Sequence, residues 1–341
     1  MRAVGYGGGR LDASPGCLID LDLPDPVPGP QDLLVAVEAV AVNPVDAKVR
    51  RRDTPDPGDW RVLGWDAAGT VLAMGDAVDG FAVGDRVWYA GALNRPGCNS
   101  ERHCVDHRLV GQRPPAWSAA AAAALPLTAI TAWELLFDRL RLPRAGDPQP
   151  PQTLLVVGAA GGVGSILVQL VRCLTQLTLV ATASREASRD WLHQLGVEHV
   201  IDHHQPLAAQ LDSLDVPPIT AAISLTHTAA HFEALVEVLA PQGALALIDD
   251  PEPSAINVLA LKRKSLSLHW ELMFTRSLYQ TGDMAEQGRI LNAVAALAVQ
   301  GRVRSTLQRS LGPIDAQRLQ QAHRWIESGS AIGKLVLQGW G

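Results

Sequence analysis

The feature that most constrains the fold of this chain is a glycine-rich turn between a strand and a helix. Residues 158–164 read GAAGGVG and directly follow the apolar run Leu154–Val157. Apolar residues recur at helical spacing from 163 to 174, and the run 177–181 (LTLVA) predicts the next strand. In this β-α-β setting, backbone N–H groups and the positive end of a helix dipole can approach a pyrophosphate. The pattern therefore predicts dinucleotide binding, although Ala159 replaces the usual first glycine. The residues expected to make that contact are Ala160, Gly161, Gly162, Val163 and Gly164.

The residues after the second strand discriminate between the two nicotinamide dinucleotides. A site for NAD normally has an acidic residue there, which binds the ribose 2′-hydroxyl. Here the strand runs into Ser184 and Arg185, with no carboxylate before Glu186. The Ser184 hydroxyl can donate a hydrogen bond, and a guanidinium at Arg185 suits a 2′-phosphate, with Arg189 one turn later. We therefore expect NADPH; the alternative is that Arg185 is only a surface charge.

The glycine turn lies in the middle of the chain, after a β-rich region. Before residue 118, glycines and prolines recur every several residues, which is typical of short strands joined by tight turns. After the turn, strand-like runs at 200–201, 221–225 and 244–248 alternate with helical stretches. Helices at 284–300 and 315–328 then lead to a last strand at 333–337. The pattern predicts an α/β protein of two domains, one of them a doubly wound parallel sheet inserted into the chain.

Composition argues against several classes of partner. The formal net charge of the 341 residues is −6, and the one basic cluster, 48–52, is interpreted as a solvated face. Neither nucleic acid nor an anionic membrane surface is therefore expected to bind. The four scattered cysteines fit a reducing cytosol, and the first ten residues hold no long apolar run. The small-apolar run 119–125 falls short of the ~20 residues of a membrane span. We expect a soluble, cytoplasmic protein.

One short segment carries the residue types of a metal site. Cys98, His103, Cys104 and His107 lie within ten residues, and thiolate and imidazole both suit zinc. In an extended segment, however, His103 and Cys104 point to opposite faces, and the spacing matches no familiar zinc finger. Coincidence is the favoured interpretation, with a metal site as the alternative.

Seven motifs are distributed over the whole chain, at 43–46, 63–69, 84–87, 125–129, 159–164, 261–272 and 332–337. Together they resemble the medium-chain dehydrogenase/reductases. The resemblance is strongest to the branch called zinc-type alcohol dehydrogenase-like proteins, which is similar to quinone oxidoreductases. It implies a GroES-like β-rich catalytic domain from residues 1–126 and 271–341, and a Rossmann-type NADPH-binding domain at 127–270. It also implies a homodimer that forms through an edge strand at 268–271.

The resemblance raises the question of zinc. Zinc-bearing relatives place a cysteine ligand where this chain has Asn43 and a histidine ligand where it has Trp65. An amide oxygen is a weak zinc ligand, and an indole offers no lone pair in its ring plane. The four-cysteine structural zinc loop is also missing, since residues 89–100 contain only Cys98. We expect no catalytic zinc.

The resemblance assigns roles to further residues of the catalytic domain. It places Asn43 and Asp46 near the nicotinamide and the floor of an interdomain cleft, and it suggests that Asp66 organises that floor. Tyr89 is the candidate proton donor, the alternative being a tyrosine packed at a strand end. Thr128 is expected to contact the ribose or phosphate region of the cofactor.

The resemblance also assigns residues of the cofactor domain. Ser224, Thr226 and Ile248 are expected to border the nicotinamide. His203 falls where relatives often place a tyrosine beside the adenine; the alternative is an exposed histidine in a turn.

The implied activity is hydride transfer from NADPH to a quinone or an activated enone. Without a Lewis acid an unactivated ketone is harder to polarise, so acceptors with their own electron sink are favoured. Trp60, Trp65 and Trp88 either line the cleft or are ordinary core residues. Two other functions remain open: a zinc-dependent alcohol dehydrogenase with displaced ligands, and a non-catalytic NADPH-binding sensor or structural protein.

Overall fold

The computed structural model describes residues 1–8 and 13–341, so residues 9–12 of the N-terminal segment lie outside the described residues. Contacts divide the chain into two compact units. Unit 1 comprises Met1–Ile130 and Phe274–Gly341, and unit 2 comprises Thr131–Met273. The sequence had placed the boundaries at 126/127 and 270/271. The structural division falls a few residues later on both sides, so the first part of the helix Pro126–Trp133 belongs to unit 1 and its last part to unit 2.

The first part of unit 1 consists mainly of short antiparallel strands, as the spacing of its glycines and prolines predicts. The turns between them include backbone at positive φ, which favours glycine, for example Gly84 at φ +95° just before the strand Arg86–Tyr89. The elements are β1 (Arg2–Gly7), β2 (Ile19–Asp22), β3 (Asp32–Ala41), α1 (Pro44–Arg52), β4 (Trp60–Val62), β5 (Ala67–Met74), β6 (Arg86–Tyr89), β7 (Arg102–Asp106), β8 (Val110–Gln112), α2 (Ala119–Ala123) and α3 (Pro126–Trp133).

Unit 2 is a doubly wound parallel sheet, which confirms the predicted fold class. After π-helical turns at Glu134–Arg139, its strands run in the order β11-β10-β9-β12-β13-β14, and every neighbouring pair is parallel. The chain order reverses beside β9, the position where such sheets bind dinucleotides. The elements are β9 (Thr153–Val157), α4 (Gly162–Leu174), β10 (Thr178–Thr182), α5 (Glu186–Gln194), β11 (His199–Ile201), α6 (Leu207–Asp212), β12 (Ile219–Ser224), α7 (Thr228–Val238), β13 (Ala244–Leu247) and β14 (Ser267–Trp270).

The C-terminal segment returns to unit 1 and completes its main sheet. That sheet has the order β15-β16-β3-β5-β6-β8, with β7 also paired to β3, while β2, β1 and β4 form a separate antiparallel sheet. The last strand pairs antiparallel with β3, so the two segments of unit 1 share one sheet. The elements are α8 (Thr275–Tyr279), α9 (Glu286–Val299), β15 (Leu307–Ser310), α10 (Ala316–Glu327) and β16 (Lys334–Gln338).

The basic cluster at 48–52 is not simply a solvated face, so that interpretation was wrong for Arg50. Arg50 is 1% exposed, and its guanidinium donates to Ala13 O (2.9 Å) and to His323 Nδ1 (2.5 Å). It also pairs with Glu327. Both α10 partners lie more than 270 residues away in the sequence, and a local charge pattern cannot reveal them.

One long apolar helical stretch meets the length and composition of a membrane span. It covers Ala119–Arg139, and 83% of its most apolar window is buried inside the protein. Core helices of soluble proteins show the same combination, so this stretch is weak evidence for a membrane segment.

Candidate active site

The glycine loop of unit 2 has the geometry of a phosphate-binding turn. Gly158 adopts φ +79°, and a Cβ there would lie 2.7 Å from Thr226 Cγ2. At Gly164 a Cβ would lie 2.2 Å from the Ala159 carbonyl oxygen, so only glycine lets α4 start this close to the loop. The N-cap of α4 is Gly161, which has no side chain to satisfy the first N–H groups of the helix. These groups and the helix dipole can therefore hold an anion.

The end of β10 presents polar groups beside that loop. Thr182, the last residue of β10, accepts a hydrogen bond from Gly158 N at 3.3 Å. Ser184 is half-buried and Arg185 is exposed at the N-cap of α5. Arg189, one turn later, pairs with Asp202 at 3.4 Å. A guanidinium and a hydroxyl therefore stand where an NAD site would have a carboxylate.

The ends of β12 and β13 are joined by a chain of polar contacts. Ser224 is fully buried, and its hydroxyl lies 2.8 Å from that of Thr228, the first residue of α7. Thr228 donates from its backbone N to Asp249 Oδ2 at 2.9 Å. Ser224 therefore supports the edge rather than presenting a free hydroxyl. Sequence reasoning missed Thr228; its position at a helix start after a strand was the available signal.

The other predicted residues of this edge are more accessible. Thr226 and Ile248 are half-buried at the carboxyl ends of β12 and β13. His203, after β11, is also half-buried, and its Nδ1 lies 3.1 Å from the Thr182 hydroxyl. It is therefore an ordered side chain at the same edge of the sheet as the glycine loop, which differs from a fully exposed turn histidine.

The catalytic candidates of unit 1 meet in a buried cluster that includes a lysine. We call Asn43, Asp66 and Lys334 the polar cluster. Lys334 Nζ donates to Val42 O (3.0 Å), to Asn43 Oδ1 and to Asp66 Oδ2 (2.9 Å), which uses all three of its hydrogens. Asn43 Nδ2 donates to Asp66 Oδ2 at 2.7 Å, and Leu127 N donates to Asp66 Oδ1 at 2.7 Å. Burial raises the pKa of Asp66, while Lys334 and these donors oppose that shift. Sequence reasoning did not select Lys334, because its partners come from the other end of the chain.

Asp46 lies beside the polar cluster in α1. Its Oδ2 accepts a hydrogen bond from Asn43 N at 2.8 Å, which closes a capping box at the start of the helix. Burial raises the pKa of Asp46 to about 7; the Asn43 N–H and Lys334 oppose the shift, and Asp66 adds to it. A carboxyl group with this pKa can hold or release a proton near neutral pH.

Tyr89 and Thr128 are buried rather than exposed. The Tyr89 hydroxyl lies 3.1 Å from His103 Nδ1, and the two rings stack with centroids 5.5 Å apart. Burial raises the pKa of Tyr89 well above 10. These surroundings favour the alternative of a packed strand-end tyrosine over a proton donor. Thr128 is 2% exposed and donates to Leu125 O at 2.9 Å.

In the segment 98–107, which carries residue types of a metal site, the side chains contact different partners. His103 contacts Tyr89 and Pro96 O (2.9 Å), and burial lowers the pKa of its imidazole to about 4. His107 lies 3.2 Å from Asp79. Cys98 Sγ contacts Asp66 O at 3.5 Å, and burial raises the pKa of this thiol. In the described part of the chain, 1–8 and 13–341, no group of three or more His, Cys, Asp or Glu side chains is placed to hold a metal ion.

Comparison with known proteins identifies the family. Residues 29–126 match the model of the alcohol dehydrogenase GroES-like domain, and residues 195–337 match that of a zinc-binding dehydrogenase. A zinc-type alcohol dehydrogenase-like protein of Staphylococcus aureus is 35% identical over 314 residues, which covers 92% of both chains. This chain belongs to the medium-chain dehydrogenase/reductases. It is therefore an oxidoreductase of a superfamily that uses nicotinamide dinucleotides.

Other relatives of this dehydrogenase/reductase extend the comparison. The crystal structure of a Rhizobium etli protein described as a zinc-dependent alcohol dehydrogenase is 50% identical, with a TM-score of 0.94, and covers 100% of this chain and 98% of that one. A mycobacterial protein complexed with NADPH is 26% identical, with a TM-score of 0.80, and covers 99% and 100%. A 2-methylene-furan-3-one reductase of Solanum lycopersicum is 27% identical over 89% of this chain and 71% of its own.

The zinc ion implied by the names of these relatives does not fit the residues of this dehydrogenase/reductase. Trp65 is fully buried, donates its indole N–H to Ala92 O at 3.1 Å and packs edge-on against Phe274. Both polar atoms of the Asn43 side chain are engaged by Lys334 and Asp66. A cation is thus already present beside Asn43, in the form of an ammonium group. Trp65 and Trp88 are fully buried core residues, whereas Trp60 is half-exposed.

Proposed function

We propose that this dehydrogenase/reductase reduces a quinone or an activated enone with NADPH and without a catalytic zinc. The observation that carries the proposal is the polar cluster. Lys334 places a buried cation against Asn43 and Asp66, at the position where zinc-bearing relatives have their metal ligands. A divalent ion brought next to this ammonium would be repelled by it, and it would meet no thiolate or imidazole at Asn43 or Trp65.

NADPH is favoured over NADH by the end of β10. The bound nicotinamide would supply the hydride. Gly161–Gly164 would hold its pyrophosphate at the start of α4, and Ser184 and Arg185 would bind the 2′-phosphate. The mycobacterial relative complexed with NADPH supports the same cofactor.

The class of acceptor is proposed because Asn43 and Trp65 are not suitable ligands for a metal ion that would act as a Lewis acid. Without a metal to polarise a carbonyl, reduction is easiest when the acceptor spreads the incoming negative charge itself. The tomato relative is named for a substrate of this kind, a methylene group conjugated to a ketone. Both Asp46 and Tyr89 are buried, but burial raises the pKa of Asp46 to about 7 and that of Tyr89 well above its usual value. The proton that completes the reduction is therefore better assigned to Asp46, because its pKa is closer to neutral pH.

The deciding experiment is NADPH oxidation by the chelator-treated protein against a panel of quinones and enones, with NADH in parallel. We expect turnover that survives chelation and prefers NADPH. Arg185→Gln should raise the KM for NADPH by roughly 10- to 100-fold and leave that for NADH unchanged, since one charge-assisted contact is lost. Arg263→Gln removes another exposed arginine of unit 2 and should change neither constant. Activity that is lost on chelation and restored by zinc would contradict the proposal.

The closed polar cluster also favours a second candidate, an NADPH-binding sensor or structural protein without useful turnover. Each polar group of Asn43, Asp66 and Lys334 is already engaged by another buried group. Tight NADPH binding with no turnover across the whole panel would identify this function instead.

We further propose a cytoplasmic homodimer that forms along β14. This strand is an edge of the unit 2 sheet, and Trp270 and the following Leu272 are 52% and 50% exposed. An exposed edge with large apolar side chains is a ready surface for strand pairing. Sedimentation equilibrium should give a dimer, and Trp270→Lys should shift it toward the monomer; a monomeric wild type would contradict this assembly.

A further inference from the structure

Four histidines converge at the carboxyl edge of the unit 2 sheet. His203 and His204 follow β11, whereas His227 precedes α7 and His231 lies in its first turn. The ring centroid of His203 is 4.7 Å from that of His204 and 5.5 Å from that of His231. We call these four residues the histidine cluster. A histidine titrates close to physiological pH, so its surroundings decide whether it carries a charge there.

A single hydroxyl connects His203 to the predicted cofactor loop. Thr182 Oγ1 accepts a hydrogen bond from Gly158 N at 3.3 Å, so its own proton is free to point toward His203 Nδ1 at 3.1 Å. That arrangement leaves the hydrogen of a neutral His203 on Nε2. Thr182 is the last residue of β10, and in such sheets the end of this strand binds the 2′ position of the adenine ribose. His203 is therefore fixed beside the place where NADPH and NADH differ.

The charged and titratable groups around His203 come from three elements. After β11 lie Asp202 and His204; α7 and the residue before it contribute His231 and His227; and Asp202 is paired with Arg189 of α5 at 3.4 Å. Burial, then the repulsion of His204 and His231, lowers the pKa of His203, and Asp202 only partly opposes this. Burial and the neighbouring His227 and His204 likewise lower the pKa of His231, with Asp249 opposing. Both rings are therefore neutral at neutral pH in the free protein.

We propose that the histidine cluster, together with Arg185, forms a proton-dependent binding site for the 2′-phosphate, so that the preference for NADPH over NADH increases as the pH falls. This inference rests on the proposed use of a nicotinamide dinucleotide. A phosphate dianion beside His203 favours the imidazolium, and binding therefore takes up a proton. A ligand without the 2′-phosphate gives no such stabilisation. Each pKa unit by which the phosphate raises a ring corresponds to roughly a tenfold gain in affinity at low pH.

The test is calorimetric binding of 2′,5′-ADP and of 5′-AMP to the full chain at pH 8.0 and 6.5, in two buffers of different ionisation enthalpy. We expect the ratio of the two dissociation constants to change by roughly three- to tenfold in favour of 2′,5′-ADP at the lower pH. We also expect net proton uptake with 2′,5′-ADP only. His203→Asn keeps an acceptor for the Thr182 hydroxyl and removes the titration, and His231→Gln removes the second ring. Each should weaken the pH dependence, and the double variant should abolish most of it.

The matched control is His193→Gln. His193 is exposed at the far end of α5, where its Nδ1 lies 2.9 Å from Val197 O. This variant should behave like the wild type. The phosphate itself titrates with a pKa of about 6, but that contribution is common to all variants and cancels in the comparison.

The possible results separate this inference from the proposed function. If neither ligand binds at any pH, the nucleotide site itself is wrong, and the inference falls with it. If both ligands bind and the ratio is independent of pH, or if the double variant keeps the pH dependence of the wild type, the histidine inference is overturned while the nucleotide site stands. Retained 5′-AMP binding shows that a variant is folded.

Discussion

The polar cluster of unit 1 and the carboxyl edge of the unit 2 sheet differ in what their polar groups contact. In the cluster, Lys334, Asn43 and Asp66 are buried and satisfy one another. At the sheet edge, the start of α4 has backbone N–H groups with no capping side chain, and Arg185 is exposed to solvent. A buried ionic group contributes mainly by being matched to its partner, whereas an open edge contributes by what it leaves available to a ligand. The two regions should therefore respond differently to the same kind of change.

The largest change in the free energy of unfolding is expected from Lys334→Met. It leaves the Asp66 carboxylate buried without its cation, which should lower the free energy of unfolding by about 3–5 kcal/mol. Urea denaturation measures the loss, and 5′-AMP binding by the folded variant should be unchanged because that site belongs to unit 2. Lys262→Met, at an exposed lysine, serves as the control. Adding Asp66→Asn to Lys334→Met should recover part of the lost free energy of unfolding. No recovery would mean that the unpaired Asp66 carboxylate does not cause the loss.

A smaller change in the free energy of unfolding is expected when the pH is lowered. Burial and the adjacent Arg50 lower the pKa of His323 from 6.5 to about 3. Between these values the unfolded chain binds a proton that the folded chain does not, so the free energy of unfolding falls as the pH falls. From pH 7.5 to 4 this residue should account for about 3 kcal/mol of lost stability. Asp46, whose pKa is raised to about 7, acts in the opposite direction.

The variant His323→Gln isolates this contribution, because Asp46 is the same in both proteins. Between pH 7.5 and 4 its free energy of unfolding should fall by about 3 kcal/mol less than that of the wild type. His193→Gln, at an exposed histidine, should leave the profile unchanged. Parallel profiles for wild type and His323→Gln would show that the buried imidazole does not titrate as we infer.

Gly164→Ala is expected to have the smallest effect on the free energy of unfolding but a large effect on nucleotide binding at the sheet edge. The new Cβ would lie 2.2 Å from Ala159 O, so the loop must shift. We expect a loss of about 1–3 kcal/mol in unfolding free energy, with nucleotide affinity reduced by at least tenfold. Gly282→Ala, where a Cβ meets nothing within 4 Å, is the matched control. If Gly164→Ala binds 5′-AMP normally, the loop is not the phosphate site.

The same contrast explains what could be predicted from the sequence. The glycine loop and the parallel sheet depend on local spacing. The pattern of residues 154–181 predicts the loop with its strands and helix, and the strand-like runs up to residue 248 predict the rest of the sheet. Lys334 could not be selected this way, because it reaches Asn43 across 291 residues. Arg50 was misinterpreted for the same reason, since its partners belong to α10. Side-chain partners of this kind follow from the fold and not from local spacing.

The topology also has a consequence for biosynthesis. Unit 2 is one continuous segment, Thr131–Met273, whereas unit 1 is assembled from two segments on either side of it. During translation the inserted unit can fold as soon as it leaves the ribosome, but β3 must wait for β16, its partner from the very end of the chain. Until Lys334 emerges, Asp66 lacks the counter-charge that its burial requires. Until β16 is synthesised, the first segment therefore keeps part of one edge of β3 unpaired, and an unpaired strand edge is a surface on which a nascent chain can aggregate.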